Sequence, residues 1–434
     1  MRVATELSRM VYDDVEVADR SDLRDLQNER LRETVRRVYD NVPFYRERFD
    51  GAGVDPADVE TVEDLPQLPF TTKEDLRETY PDGLFAVEDD EIRRIHASSG
   101  TTGKPKVVCY TDGDLDVWRE VMARSLAAAG VEPGDTLQNA YGYGLFTGGL
   151  GFHDGGEELG ATVIPTGGGN TQRQIEFAQD LESDVLGCTP SYCLYFAETA
   201  EQQGIDPREL PLETVVIGAE PFTDEMREEI EAALDVDAID IYGLSELIGP
   251  GVSVECVEAK DGLHVWEDHF YPEVVDPDTG EQVPPGEEGE LVLTSLTKEG
   301  IPMIRYRTGD VTTLYEEPCE CGRTHRRMDN VTGRADDLLV VRGVNVYPSQ
   351  VEEAVLSFDE VAPHYRIDLD REDSLDTIEI TVELAEGTDA DPDEVRERLE
   401  NVLSLTPDGL HVVDPGGIER TEVGKVKRVY DHRE

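Results

Sequence analysis

Between residues 92 and 243, seven short apolar runs alternate with longer amphipathic segments, and no other feature limits the fold so strongly. The runs lie at 92–96, 107–110, 136–140, 162–165, 185–188, 214–218 and 238–242; helical periodicity fills most intervals, at 114–129, 171–182, 191–203 and 223–234. This alternation predicts an α/β protein with parallel, helix-covered sheets, whose ligands bind beyond the C-terminal ends of the strands. Upstream, Leu23, Leu26, Leu31, Val35 and Val38 share one helical face, and Thr72 is placed to cap a short helix ending near Tyr80. Past residue 250 the texture becomes turn-rich β, at 263–275, 289–295, 303–306 and 311–315. From 336 a small α/β lid follows, with strands near 338–341, 361–369, 377–384 and 410–413 and helices near 349–357 and 391–404. Two domains are expected, 1–335 and 336–434.

The chain of 434 residues has no run approaching the roughly 20 apolar residues of a membrane span. Its first residues lack the apolar core of a signal peptide, so a cytoplasmic, soluble protein is expected. The net charge of −58 repels nucleic acid and anionic membranes, and neither is expected as a partner. Such a surface suits concentrated salt, as in a halophile. Lysine is scarce, with seven residues, and four of them fall at 104–106 and 425–427. Where arginine is preferred elsewhere, a retained lysine suggests a compact, mobile point charge.

The stretch A-S-S-G-T-T-G-K-P-K (97–106) is built to wrap a phosphate: small hydroxyl residues, two glycines and a cation. It is not the common G-x-x-x-x-G-K-[ST] loop, because only two residues separate Gly100 from Gly103 and Pro105 follows Lys104. Four other stretches accompany it in order: Y-G-L-S-E (242–246), Y-R-T-G-D (306–310), G-R-A-D-D (333–337) and E-V-G-K-V (422–426). Each alone is an ordinary turn or chain end; their joint order is specific.

Together these motifs resemble the adenylate-forming superfamily of acyl-CoA synthetases, luciferases and carrier-loading adenylation domains. The wording H-A-S-S-G-T-T-G-K-P, A-Y-G-Y-G-L-F-T-G-G-L-G, G-C-T-P-S-Y, G-A-E-P, E-D-H-F-Y-P-E, R-Y-R-T-G-D and R-G-V-N-V-Y-P-S-Q-V-E is closer still to the phenylacetate–CoA ligase branch, along essentially the whole chain. The resemblance implies an ATP-dependent ligase that turns an aryl acid into acyl-AMP and then into its CoA thioester. It implies that Ser98, Ser99, Gly100, Thr101, Thr102, Gly103 and Lys104 enclose the triphosphate and that Glu246 holds Mg²⁺. Tyr242, with Gly243 and Ser245 after it, would face adenine, and Gly218, Ala219, Glu220 and Pro221 would line the same slot. Asp310 would take the ribose hydroxyls with Arg334 nearby. Lys425 would bridge the forming adenylate, and Asp336 would be the hinge of the lid. Ser245 stands where the branch often has threonine, and Lys106 falls at a variable loop position and receives no role. Tyr141, Phe146 and Gly149, with the neighbouring glycines, would form a flat slot for the aryl acid. The resemblance further implies a homodimer.

Six cysteines remain. Cys109, Cys188 and Cys193 lie in apolar surroundings and read as core. Cys319 and Cys321, with Cys256 and His264, form a candidate Cys₃His zinc site, His325 being the alternative ligand; related ligases with C-x-C-G-R-T carry structural zinc there. Two rival functions stand beside the ligase. One is an adenylating enzyme that loads an aryl acid onto a free carrier protein; the other is a non-catalytic nucleotide sensor on the same fold.

Overall fold

A computed structural model describes residues 11–433, apart from 99–104, 332, 335–338, 343, 359, 373–374, 386, 404 and 421–425. Three helices lead: α1 (Arg20–Asn41), α2 (Pro43–Ala52) and the capped α3 (Lys73–Glu78). Strands β1 (Arg94–Ser98) and β2 (Lys106–Tyr110) then pair antiparallel as a separate two-stranded sheet. The sequence pattern predicts them within the parallel sheet. Their connection is too short for the crossover that parallel strands need, so they fold as a hairpin around the phosphate-loop motif.

The parallel part of the main sheet is β3 (Thr136–Asn139), β4 (Thr162–Ile164), β5 (Val185–Cys188), β6 (Thr214–Gly218) and β7 (Asp237–Leu244), in spatial order 4-3-5-6-7. Every residue of β5 and β6 is buried, as continuous apolar strands between two helical layers should be. The covering helices are α4 (Asp112–Ala128), α5 (Gly148–Leu159), α6 (Thr171–Asp180), α7 (Pro190–Gln202) and α8 (Asp224–Leu234). Thr111, Thr189 and Thr223 cap α4, α7 and α8 by accepting from the backbone N–H three residues on.

Helix α5 is not among the helices the sequence pattern marks, and it carries five glycines. Glycine costs a helix about 1 kcal/mol per residue relative to alanine. Here the bare face offsets that cost by close approach: a Cβ at Gly155 would sit 2.2 Å from Met122 Cβ on α4. Helix propensity, a local quantity, misses such a tertiary contact.

The sheet continues antiparallel through β8 (Gly249–Val254), β9 (Leu263–Val265), β10 (Phe270–Val275), β11 (Glu288–Ser295), β12 (Tyr306–Tyr315) and β13 (Arg327–Met328), with β14 (Gly333–Arg334) paired beside β12. Twelve strands thus form one mixed sheet. Beyond the hairpin β15 (Leu339–Val341) and β16 (Val344–Val346) come α9 (Pro348–Leu356), β17 (Val361–Glu372), β18 (Leu375–Leu384), α10 (Pro392–Leu403), β19 (Gly409–Val413) and β20 (Val429–Asp431). These strands make a four-stranded sheet of order 19-18-17-20, with a hydrophobic core of its own running from Leu339 to Leu403. The sequence pattern does not mark β20, which is added parallel to β17.

Candidate active site

The C-terminal ends of the parallel strands β3, β5, β6 and β7 lie along one edge of the sheet, and the motif residues Gly218 to Glu220 and Tyr242 to Glu246 follow from there. The turn after β6 needs its glycine, because a Cβ at Gly218 would lie 2.0 Å from the Ile241 carbonyl oxygen. Ala219 follows in the left-handed region at φ 73°, a strained conformation of the kind that collects at ligand sites. Glu220 turns back to accept from Ser191 Oγ at 2.6 Å and, across the lid seam, from the Val426 backbone N–H at 2.9 Å. The slot-lining role expected of Glu220 is therefore joined to a second one, docking the lid one residue from Lys425.

At the end of β7, Tyr242 Oη donates to Asp310 Oδ2 at 2.6 Å, so the residues expected at adenine and ribose meet directly. Arg334 faces Asp310 in the register of β12 and β14. Ser245 Oγ lies 3.0 Å from Thr147 Oγ1, which ties the nucleotide turn to the glycine-rich segment before α5. In that segment Tyr141 is buried and packs on Phe152 with ring centroids 4.7 Å apart, while Phe146 stays exposed. The Gly149 Cα abuts the carbonyls of Tyr141 and Gly142, leaving no room for a side chain.

Glu246 is buried and receives Tyr306 Oη at 2.9 Å. It also forms an ion pair with Lys106, a residue to which the motif reading gives no role. Burial works against the Glu246 charge, yet the Lys106 ammonium beside it overrides burial and holds the carboxyl below its ordinary range. The signal for Lys106 was available, since lysine is scarce and this one lies on the strand leaving the phosphate loop. Nearby, Lys298 Nζ sits 3.3 Å from the centroid of the Tyr110 ring, whose hydroxyl donates to the Ile248 carbonyl at 2.9 Å in the Glu246 turn. Ser99 to Lys104, Lys425 and Asp336, and the side chains of Ser98 and Arg334, lie outside the described residues.

On the far side of the sheet, Cys256, His264, Cys319 and Cys321 are all buried, and their ligand atoms lie within 4.8 Å of one another. Cys256 Sγ is 3.6 Å from Cys319 Sγ, and Cys321 Sγ is 3.4 Å from His264 Nε2. Metal–sulfur bonds of about 2.3 Å place tetrahedral ligand atoms roughly 3.5–3.8 Å apart, so the donor set fits zinc. Hydrogen bonds from Cys256 and Cys321 draw the Cys319 thiol well down, and the nearby guanidinium of Arg327 favours its thiolate. His325 is excluded as the fourth ligand, because its Nδ1 and Nε2 lie 3.0 and 3.1 Å from the Val265 and Val15 carbonyls. His96 packs edge-on to Tyr110 and Trp118, as a core histidine.

Residues 5–297 match the AMP-binding enzyme family and residues 343–433 its C-terminal domain. The chain is 53% identical to the phenylacetate–coenzyme A ligase of Thermus thermophilus over 98% of this chain and 100% of that one. It is 49% identical to that of Escherichia coli, over 97% of each chain. The chain belongs to the adenylate-forming AMP-binding enzymes, in their phenylacetate–CoA ligase branch. Among solved structures, 2-hydroxyisobutyryl-CoA ligase with its acyl-AMP in the postadenylation state gives a TM-score of 0.90 at 28% identity, covering 96% of this chain and 91% of that one. The same ligase in the thioesterification state, with CoA, covers the same shares at 29% identity but gives 0.72. The lid of this branch member thus stands in an arrangement close to the postadenylation state.

Proposed function

We propose that the chain is an AMP-forming acid–thiol ligase that converts phenylacetate, or a close aryl acid, into its CoA thioester at the expense of ATP. The observation that carries this reading is the docked lid: Val426 N–H of the lid donates to Glu220, in the turn after β6 that the motifs assign to the nucleotide slot. Lys425, the next residue toward the N-terminus, would bridge the forming adenylate. In the first half-reaction a carboxylate oxygen bonds to the α-phosphorus as the bond to pyrophosphate breaks. Little covalent work falls to the protein, so positioning and neutralisation carry the catalysis. The 98–104 loop with Lys104 would enclose the departing pyrophosphate, Tyr242 would stack on adenine, and Asp310 would exchange its Tyr242 bond for the ribose hydroxyls. Glu246 would hold Mg²⁺, which neutralises phosphate charge when bound. In the second half-reaction the CoA thiolate bonds to the acyl carbon and AMP leaves. Lys425 then has to withdraw, and Asp336 is the hinge between domains 1–335 and 336–434.

Tyr141, Phe146 and Gly149 would hold the aryl ring. Cys256, His264, Cys319 and Cys321 would hold a structural Zn²⁺, all four positions being filled by protein. The charge of −58 supports a halophilic setting. The deciding experiment follows pyrophosphate release from ATP and phenylacetate, with and without CoA. Release without CoA, followed by thioester formation once CoA is added, is expected. Thioester only on a carrier protein, or no release at all, would favour the carrier-loading enzyme or the sensor.

A further inference from the structure

The lid and the large domain meet at a second point, away from the nucleotide slot. Helix α7 presents Glu198 at the seam, and its Oε1 lies 2.8 Å from His364 Nε2 on β17 of the lid. Arg420 of the lid approaches the same carboxylate at 3.4 Å. That arginine is already fixed within the lid. It donates to Glu383 at 2.7 and 2.9 Å, and Glu383 in turn accepts from the backbone of Gly416 and Ile418. The lid therefore carries a pre-formed cationic fork, and Glu198 is its partner across the seam. The contact is half screened from water: side-chain exposure is 32% for Glu198, 11% for His364 and 19% for Arg420. It stands beside a small cleft lined by Ser191, Tyr195, His364, Tyr365, Arg420 and Val426. Leu356 of α9 adds an apolar contact, packing on the core beneath α7 and α8.

We propose that Glu198 is a positioning residue for the first half-reaction: by holding His364 and Arg420 it keeps the lid docked over the nucleotide slot, and it releases them before the thioester step. The inference rests on the two-step reading above and adds the residue that times it. Three observations converge on it. The Glu198 contact on α7 and the Val426–Glu220 bond in the turn after β6 hold the lid at two separate points, so the two pins fix its orientation and not merely its proximity. The lid arrangement matches the postadenylation state of a solved relative far better than its thioesterification state, with TM-scores of 0.90 and 0.72. Lastly, none of the three side chains is required by the chemistry proposed for either half-reaction.

The test is a split of the two half-reactions in Glu198→Gln. Single-turnover pyrophosphate release from ATP and phenylacetate should slow about tenfold, the scale of one charge-assisted hydrogen bond. Thioester formation from supplied phenylacetyl-adenylate and CoA should stay at the wild-type rate or rise. His364→Gln should give the same split, and the double variant should slow release by no more than about twofold beyond the worse single one, because both remove one contact. Equal slowing of both half-reactions, no slowing of either, or additive losses in the double variant would overturn the assignment. Failure of the wild-type chain to perform one half-reaction would instead overturn the two-step reading.

Discussion

At the scale of single residues, the centre of the site is the Glu246 carboxylate, held between Tyr306 and Lys106. A buried carboxylate needs a positive partner, and Lys106 supplies it. On the proposed role of Glu246 as the Mg²⁺ holder, metal and lysine would compete for the same oxygens. We expect Glu246→Gln to slow pyrophosphate release by about two orders of magnitude, comparable to losing one pre-organised electrostatic contact in other active sites. Lys106→Met should lower the Mg²⁺ concentration at half-maximal rate, measured by titration at saturating ATP; an unchanged titration midpoint would refute the competition. The motifs announced Glu246, Tyr242 and Asp310, because each stands in a recognisable string; the structure places Tyr242 and Glu246 at the end of β7 but Asp310 inside β12, not at the strand end expected. Lys106 was not announced, because a lysine three positions past a glycine reads equally well as surface. Only the fold shows that β2 carries it back across to the β7 turn.

At the scale of elements, the four residues proposed to hold zinc join three separate pieces: the turn after β8, strand β9 and the Cys319–Cys321 loop between β12 and β13. Paired substitution Cys319→Ser with Cys321→Ser should take metal content from about one zinc per chain to near zero. The melting temperature should fall by on the order of 5–10 °C, the size expected for a few kcal/mol in a domain this large. Metal analysis and calorimetry on protein purified without chelator check both. The lid seam should respond to pH. Glu229 of α8 is pushed up to about 7, first by burial and then by the facing carboxylates of Glu198 and Glu352. Its neighbours across the seam also include His364 and Arg420, paired with Glu198, and Arg428, paired with Glu352. A carboxyl whose pKa is raised on docking favours the docked lid below its ordinary value near 4.5, and that advantage is lost as pH rises through about 7. Between pH 6 and 8, the undocked fraction reported by a fluorescence pair across the seam should therefore rise, by at most roughly tenfold. Glu229→Gln should flatten the response; an unaltered slope would remove Glu229 from the explanation.

At the scale of the whole molecule, 97 acidic residues against 39 basic ones set the solvent conditions under which the fold persists. At 0.1 M ionic strength exposed charges repel over about 10 Å, and at 1 M over only about 3 Å. Thermal unfolding in potassium chloride should shift upward by more than about 10 °C between 0.1 and 2 M, well past the concentration at which an ordinary protein levels off. A melting temperature independent of salt would contradict the halophilic reading. No helix among the described residues is long and apolar enough to cross a membrane.

The sequence alone determined the fold class, the order of the parallel strands' motifs and the three thiols of the candidate metal site. These depend on local patterns: apolar runs of strand length, capping threonines, and donor types at fixed spacing. Strands β5 and β6 fell where the pattern placed them, to the residue. Only the tertiary structure decided the rest. It set β1 and β2 apart as a hairpin, made a helix of the unmarked, glycine-rich α5, and chose His264 over His325 for the thiol cluster. It brought Lys106 to Glu246, Glu220 to Val426 and Glu198 to His364. In every such case the deciding interaction joins residues far apart in the chain, and its strength comes from burial and close approach, which no local pattern records.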